Sequence, residues 1–128
     1  ILDVAHNPQA TQYLANQLRS KNPPKKLVAL VGMRDNKAYK DCLQPLLGLF
    51  DSWYCADLKH EDSLKGADIV DYLREQGEAK CYHYTSVELA MDALYSTIEK
   101  PEEMALVVFG SFITVRQAKR YFSSGSIG

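Results

Sequence analysis

The sequence predicts a single α/β domain built on a mostly parallel sheet with helices on both faces. Three observations point there. Apolar β runs alternate with amphipathic helical stretches through five β-α units in 128 residues. No two β runs are joined by a hairpin turn signal, and no linker is long enough to divide the chain. Apolar residues make up 46% of the chain, enough to build the core of one domain of this length.

The first β run is Ile1–Val4. Asn7-Pro8 follows, a helix N-cap with Pro at the first helical position, where a missing N–H costs nothing. Ala10, Tyr13, Leu14 and Leu18 then mark one helical face, which Asn22-Pro23-Pro24 closes. Leu27–Val31 is a β run stopped by Gly32. Tyr39, Cys42, Leu43, Leu46, Leu47 and Phe50 keep helical spacing, with a kink or restart expected at Pro45. Trp53–Ala56 is the third β run, and Ile69, Val70 and Leu73 belong to a helix ended by Gly77. Cys81–Tyr84 is the fourth.

Thr85-Ser86-Val87-Glu88 has the spacing of a capping box, ahead of a stripe formed by Val87, Ala90, Met91, Leu94 and Ile98. Ala105–Phe109 is the strongest β run. Gly110-Ser111 turns it into a last helix carrying Val115, Ala118, Tyr121 and Phe122. The chain opens inside a β run with no leading loop, as expected of a piece cut from a longer protein. A domain over residues 1–122 and a flexible tail over 123–128 are expected.

Charge excludes some partners. With 15 basic and 16 acidic residues the net charge is -1, so neither nucleic acid nor an anionic membrane is expected as the main partner. No apolar run approaches the ~18 residues of a membrane helix, and nothing reads as a signal peptide, so a cytoplasmic protein is expected. Cys42, Cys55 and Cys81 are odd in number and form no Cys-x-x-Cys, which predicts buried thiols and no disulfide framework.

In a parallel sheet, ligands bind beyond the carboxyl ends of the strands. Here those ends carry His6-Asn7-Pro8, Gly32 to Lys37, Asp57, Thr85 and Gly110-Ser111. Asp3, His6 and Asn7 are the densest polar cluster and surround a helix start, where free N–H groups favour an anion. Each residue also has a plain structural reading. Asn7 and Ser111 serve as helix caps, His6 as a solvated strand-end histidine, and Arg34, Asp35 and Lys37 as loop charges; His60 and His83 read as structural. Asp3 is harder to dismiss, because an acid in an apolar strand costs several kcal/mol unless paired or near the rim (about 2–7 for a polar group, more for a charge).

The absences are sharper. The chain contains no Gly-x-x-x-x-Gly-Lys-Ser/Thr, no Gly-x-Gly-x-x-Gly, no His-Glu-x-x-His and no Gly-x-Ser-x-Gly. It therefore lacks a self-sufficient catalytic set.

Four stretches resemble a known family. Leu2-Asp3-Val4-Ala5-His6-Asn7-Pro8 is similar to the Asp-Gly/Val-Ala-His-Asn-Pro signature that opens the C-terminal domain of folylpolyglutamate synthases, members of the Mur ligase superfamily. Val31-Gly32-Met33 with Asn36-Lys37 resembles the family's Gly-Met…Asp-Lys loop. Ser52-Trp53-Tyr54-Cys55-Ala56 resembles a strand of the bifunctional bacterial dihydrofolate synthase/folylpolyglutamate synthase branch. Val108-Phe109-Gly110-Ser111-Phe112 with Thr114-Val115 resembles the closing Gly-Ser-Phe-x-Thr-Val motif. The matches fall in order over nearly the whole chain. Asn36 stands where the family usually has Asp, which removes a carboxylate from that position.

The resemblance implies a three-layer, Rossmann-like domain of the Mur ligase C-terminal type. It also implies a parent enzyme that joins L-glutamate to dihydropteroate or folyl-glutamates at the expense of ATP, through an acyl phosphate. The missing N-terminal and central domains of the same chain would be its partners, the central one holding the nucleotide's phosphates and Mg2+. Asp3, His6 and Asn7 would then face the nucleotide, and Lys37 and Ser111 the glutamate. No catalytic residue and no metal ligand are expected in the chain itself, and a monomer is expected. Two alternatives stay open: another Mur-type amino-acid ligase domain, or a non-catalytic binding module of flavodoxin-like shape.

Overall fold

The computed structural model describes residues 5–21, 26–34, 38–59 and 62–123. The β run expected at Ile1–Val4 lies outside them. Helix α1 spans Pro8–Lys21, followed by strand β1, Lys26–Val31, and a short α2, Tyr39–Leu43, that continues as a 3-10 turn over Gln44–Leu46. Strand β2, Ser52–Ala56, leads to α3, Gly66–Glu75, and β3, Cys81–Tyr84, to α4, Val87–Thr97. A second 3-10 turn at Pro101–Glu103 precedes β4, Met104–Phe109, and α5, Phe112–Ser123, which runs one residue into the expected tail.

The described strands form one four-stranded sheet in the order β3-β2-β1-β4. Every pairing is parallel. The expected fold class is thus the observed one, and its physical cause is visible in the strands. Side chains alternate across a strand. Ala29, Val31, Trp53, Cys55, Cys81, Val107 and Phe109 enter one core with α1, α2 and α3. Val28, Leu30, Tyr54, Ala56 and Val108 enter the other with α4 and α5. A sheet buried on both faces needs apolar residues at consecutive positions, which is why β1, β2 and β4 read as unbroken apolar runs. Phe50, Trp53 and Phe109 fill the first core, the Phe50 and Trp53 rings meeting edge to face at 4.9 Å.

Local chemistry sets the helix ends, and it differs from the sequence reading at two of them. The restart expected at Pro45 is found, as a 3-10 turn over Gln44–Leu46 after α2 stops at Leu43, but it is short and ends before Leu47 and Phe50 of the helical spacing. Pro45 has no N–H to donate, and its ring crowds the preceding turn. Gly48, at φ +80°, then reverses the chain, and Phe50 reaches the core from outside any helix. At α4 the cap is Ser86, whose Oγ accepts from Leu89 N at 3.0 Å. That places Leu89, not Glu88, at the third helical position, so the capping box spaced from Thr85 does not form.

The three cysteines are buried and unbonded to one another, as the sequence suggested. Burial pushes the Cys81 thiol up to about 11 and raises Cys42 and Cys55 as well, so none is a ready thiolate. Among the described residues no helix is long and apolar enough to cross a membrane.

Candidate functional site

The carboxyl ends of β1 and β4 lie side by side, and their two following glycines let them close. Gly32 N donates to Phe109 O at 3.4 Å, and Gly110 adopts φ +118°. A Cβ on Gly110 would run into the backbone carbonyl of Gly32. A Cβ on Gly32 would come within 2.7 Å of Leu58 Cδ2 and 2.9 Å of Thr114 Oγ1. Two glycines in register therefore bring the start of α5 directly over the end of β1.

Ser111 and Thr114 lock that approach. Thr114 Oγ1 donates to Gly32 O at 2.6 Å and so spends its one proton. Ser111 Oγ lies 2.9 Å from Thr114 Oγ1 and must donate to it, while accepting from Thr114 N at 3.1 Å. The Ser111 hydroxyl is thus the N-cap of α5 and is committed to the protein, in a buried position. The sequence left this structural reading open beside a substrate-binding one.

Beside it stands the start of α1. Asn7 Oδ1 accepts from Ala10 N at 2.8 Å, the cap expected from Asn7-Pro8. Both His6 and Asn7 side chains are exposed. The His6 carbonyl accepts a weak hydrogen bond from Cys42 Sγ at 3.5 Å, and the His6 ring sits 6.3 Å from the Phe112 ring, tilted by 47°. His6 is therefore held from the α2 side by its backbone and from the α5 side by its ring.

The third wall is the loop after β2. Leu64 N donates to Met33 O at 2.8 Å, and Arg34 pairs with Ser63 in an antiparallel bridge. Across it, Arg34 Nη2 lies 3.3 Å from Asp62 Oδ2. The same loop is fixed at its two ends by Asp57, whose Oδ1 accepts from Gly66 N at 2.6 Å and meets His83 Nε2 at 2.9 Å. His83, read as structural, is part of that support.

Together these walls enclose a cleft of about 620 Å³ at the carboxyl edge, lined by His6, Met33, Arg34, Asp62, Gly110, Ser111, Phe112 and Ile113. His6 and Ser111, candidates separated by more than a hundred residues, meet there; Asn7 caps the adjoining helix. Asp3 and Lys37 lie outside the described residues. The sequence reading missed Asp62, Phe112 and Thr114 as members of the site. Phe112 carried the available signal, a large apolar side chain at a helix start beside the candidate Ser111; the structure leaves it 64% exposed. Among the described residues no group of three or more His, Cys, Asp or Glu side chains could hold a metal ion.

A parallel sheet with helices on both faces and an open cleft at its carboxyl edge defines an α/β domain of the kind that binds ligands at that edge. The chain belongs to the Mur ligase, glutamate ligase domain family, which residues 1–112 match. It is 31% identical over 124 residues to the dihydrofolate synthase/folylpolyglutamate synthase of Buchnera aphidicola (subsp. Baizongia pistaciae), covering 97% of this chain and 28% of that protein. It is also similar to the solved structure of E. coli FolC in complex with DHPP and ADP, with a TM-score of 0.83, 28% identity, and coverage of 95% of this chain and 28% of that one. A bifunctional folylpolyglutamate synthase/dihydrofolate synthase with Mn, AMPPNP and L-glutamate bound matches with a TM-score of 0.80 and 29% identity, over 95% of this chain and 29% of that one. The chain spans less than a third of the length of these relatives.

Proposed function

We propose that the chain, with residues 1–122 as its folded unit, is the C-terminal domain of an ATP-dependent ligase that adds L-glutamate to dihydropteroate, to folyl-glutamates, or to both. The observation that carries this reading is the convergence of His6, Arg34, Ser111 and Phe112 on one cleft at the carboxyl edge, in a member of a glutamate ligase domain family. ATP would transfer its γ-phosphoryl group to the substrate carboxylate, giving an acyl phosphate and ADP. The amine of glutamate would attack the carbonyl carbon, expel phosphate and lose a proton, leaving an amide.

An acyl phosphate must be shielded from water, and closing this domain over the rest of the protein would do that. His6 and Asn7, with Asp3 from the sequence, would face the nucleotide. Lys37 would face the incoming glutamate. Ser111 would support the same side as the fixed floor of the cleft, its hydroxyl being engaged with Thr114. The Mg2+ that accompanies ATP would be held by the central domain, and the chain would act in the cytoplasm as part of a monomer.

The test compares the full-length parent protein with the 128-residue chain. The parent should release ADP only when glutamate and a folate-type carboxylate are both present, with formation of the matching amide. The isolated chain should do neither. Ligation by the isolated chain would overturn the division of labour, and a parent inert towards glutamate would overturn the reaction.

A further inference from the structure

Among the described residues lining the cleft, Arg34 is the one that carries a permanent positive charge. Its backbone is tied to the loop after β2 by the bridge to Ser63 and, one residue earlier, by the Leu64 N to Met33 O hydrogen bond of 2.8 Å. The side chain lines the cleft from that tied position. Its partner there is Asp62, through a single Nη2 to Oδ2 contact of 3.3 Å. Both side chains are well exposed, at 51% and 68%, so the pair is weak and is screened by solvent.

A guanidinium presents five N–H donors in a planar fork suited to a bidentate carboxylate, and Asp62 engages one of its nitrogens. That contact also shows that a carboxylate fits against Arg34 at the mouth of the cleft. We propose that Arg34 is a substrate-binding residue for the carboxylate of the amino acid that enters the cleft, with Asp62 as its internal competitor. The incoming carboxylate displaces Asp62 and takes both arms of the fork. Asp62 then sets a low threshold: as a weak, exposed competitor it discourages anions that bind Arg34 through one oxygen. This proposal rests on the glutamate-ligase reading above.

Steady-state kinetics on the full-length parent protein test it. Arg34→Ala should raise the KM for glutamate about ten- to a hundred-fold, with kcat and the KM for ATP within about twofold. Arg34→Lys should recover only part of the loss, because an ammonium lacks the fork. Asp62→Asn should lower the KM for glutamate by about two- to fivefold, the competition expected of an exposed ion pair, and should have no effect once Arg34 is already Ala. Arg34→Gln, of similar size, replaces Arg34→Ala if the alanine variant does not fold.

An unchanged KM for glutamate in Arg34→Ala overturns the proposal. A rise in the KM for ATP instead also overturns it, by making Arg34 a phosphate ligand. So does a raised KM for glutamate in Asp62→Asn, which would make Asp62 itself a contact for the substrate. These results are read in a wild-type protein that ligates glutamate. A wild-type protein that does not ligate it removes the function proposed above and this inference with it.

Discussion

Replacing Gly110 with Ala tests the junction on which the cleft is built. Two costs add. At φ +118° an L side chain is strained by roughly 1–3 kcal/mol. The new Cβ would also overlap the Gly32 carbonyl and come within 3.2 Å of Met33 Cγ, so β1 and the start of α5 must separate. Separation stretches the 2.6 Å hydrogen bond from Thr114 to Gly32 O and leaves a buried acceptor poorly satisfied, at about 1–3 kcal/mol. The expected loss is about 4 kcal/mol, or roughly 10–20 °C in Tm for a domain of this size.

Gly48→Ala and Gly77→Ala are the matched controls, because both glycines have positive φ but nothing within 4 Å of the added Cβ. Their loss should be the strain alone, about 1–2 kcal/mol. Thermal unfolding of the three variants, followed by circular dichroism, separates strain from collision. If Gly110→Ala melts with the two controls, β1 and α5 do not meet as described.

Three further expectations concern other parts of the molecule. Burial and the 2.8 Å hydrogen bond to Asp92 push the Tyr121 hydroxyl up to about 12. The folded state thus holds that proton more tightly than the unfolded one, and its stabilisation is complete below about pH 10 and is lost as pH rises towards 12. Tyr121→Phe should unfold with a shallower pH dependence across that window, and an unchanged slope would assign the loss to other groups. All three cysteines are fully buried with raised pKa, so the native chain should react with a thiol reagent at pH 8 far more slowly than the denatured chain. Rapid labelling of the native chain would contradict that packing. Asp3→Ala in the parent protein should lower kcat/KM for ATP about ten- to a hundred-fold, the loss of a charge-assisted hydrogen bond. Unchanged ATP kinetics together with a large fall in Tm would make Asp3 a structural residue.

The sequence by itself determined what depends on neighbours in the chain. Unbroken apolar runs at 27–31, 53–56 and 105–109 specified strands buried on both faces. The apolar spacing in 87–98 specified a helix, and Asn7-Pro8 specified where another begins, because alternation, helical period and capping are all local. Local patterns also failed locally: two residues able to cap, Thr85 and Ser86, stand side by side, and only the folded backbone selects Ser86.

The site was a matter for tertiary structure. Nothing near Arg34 in sequence announces Asp62, 28 positions away, and nothing near Ser111 announces that Thr114 will tie it to Gly32 across 82 positions. Those contacts exist because the sheet order β3-β2-β1-β4 sets the end of β1 between the ends of β2 and β4. Strand order is decided by which long-range pairings bury the most surface together, and that energy belongs to the assembled sheet, not to any one segment of it.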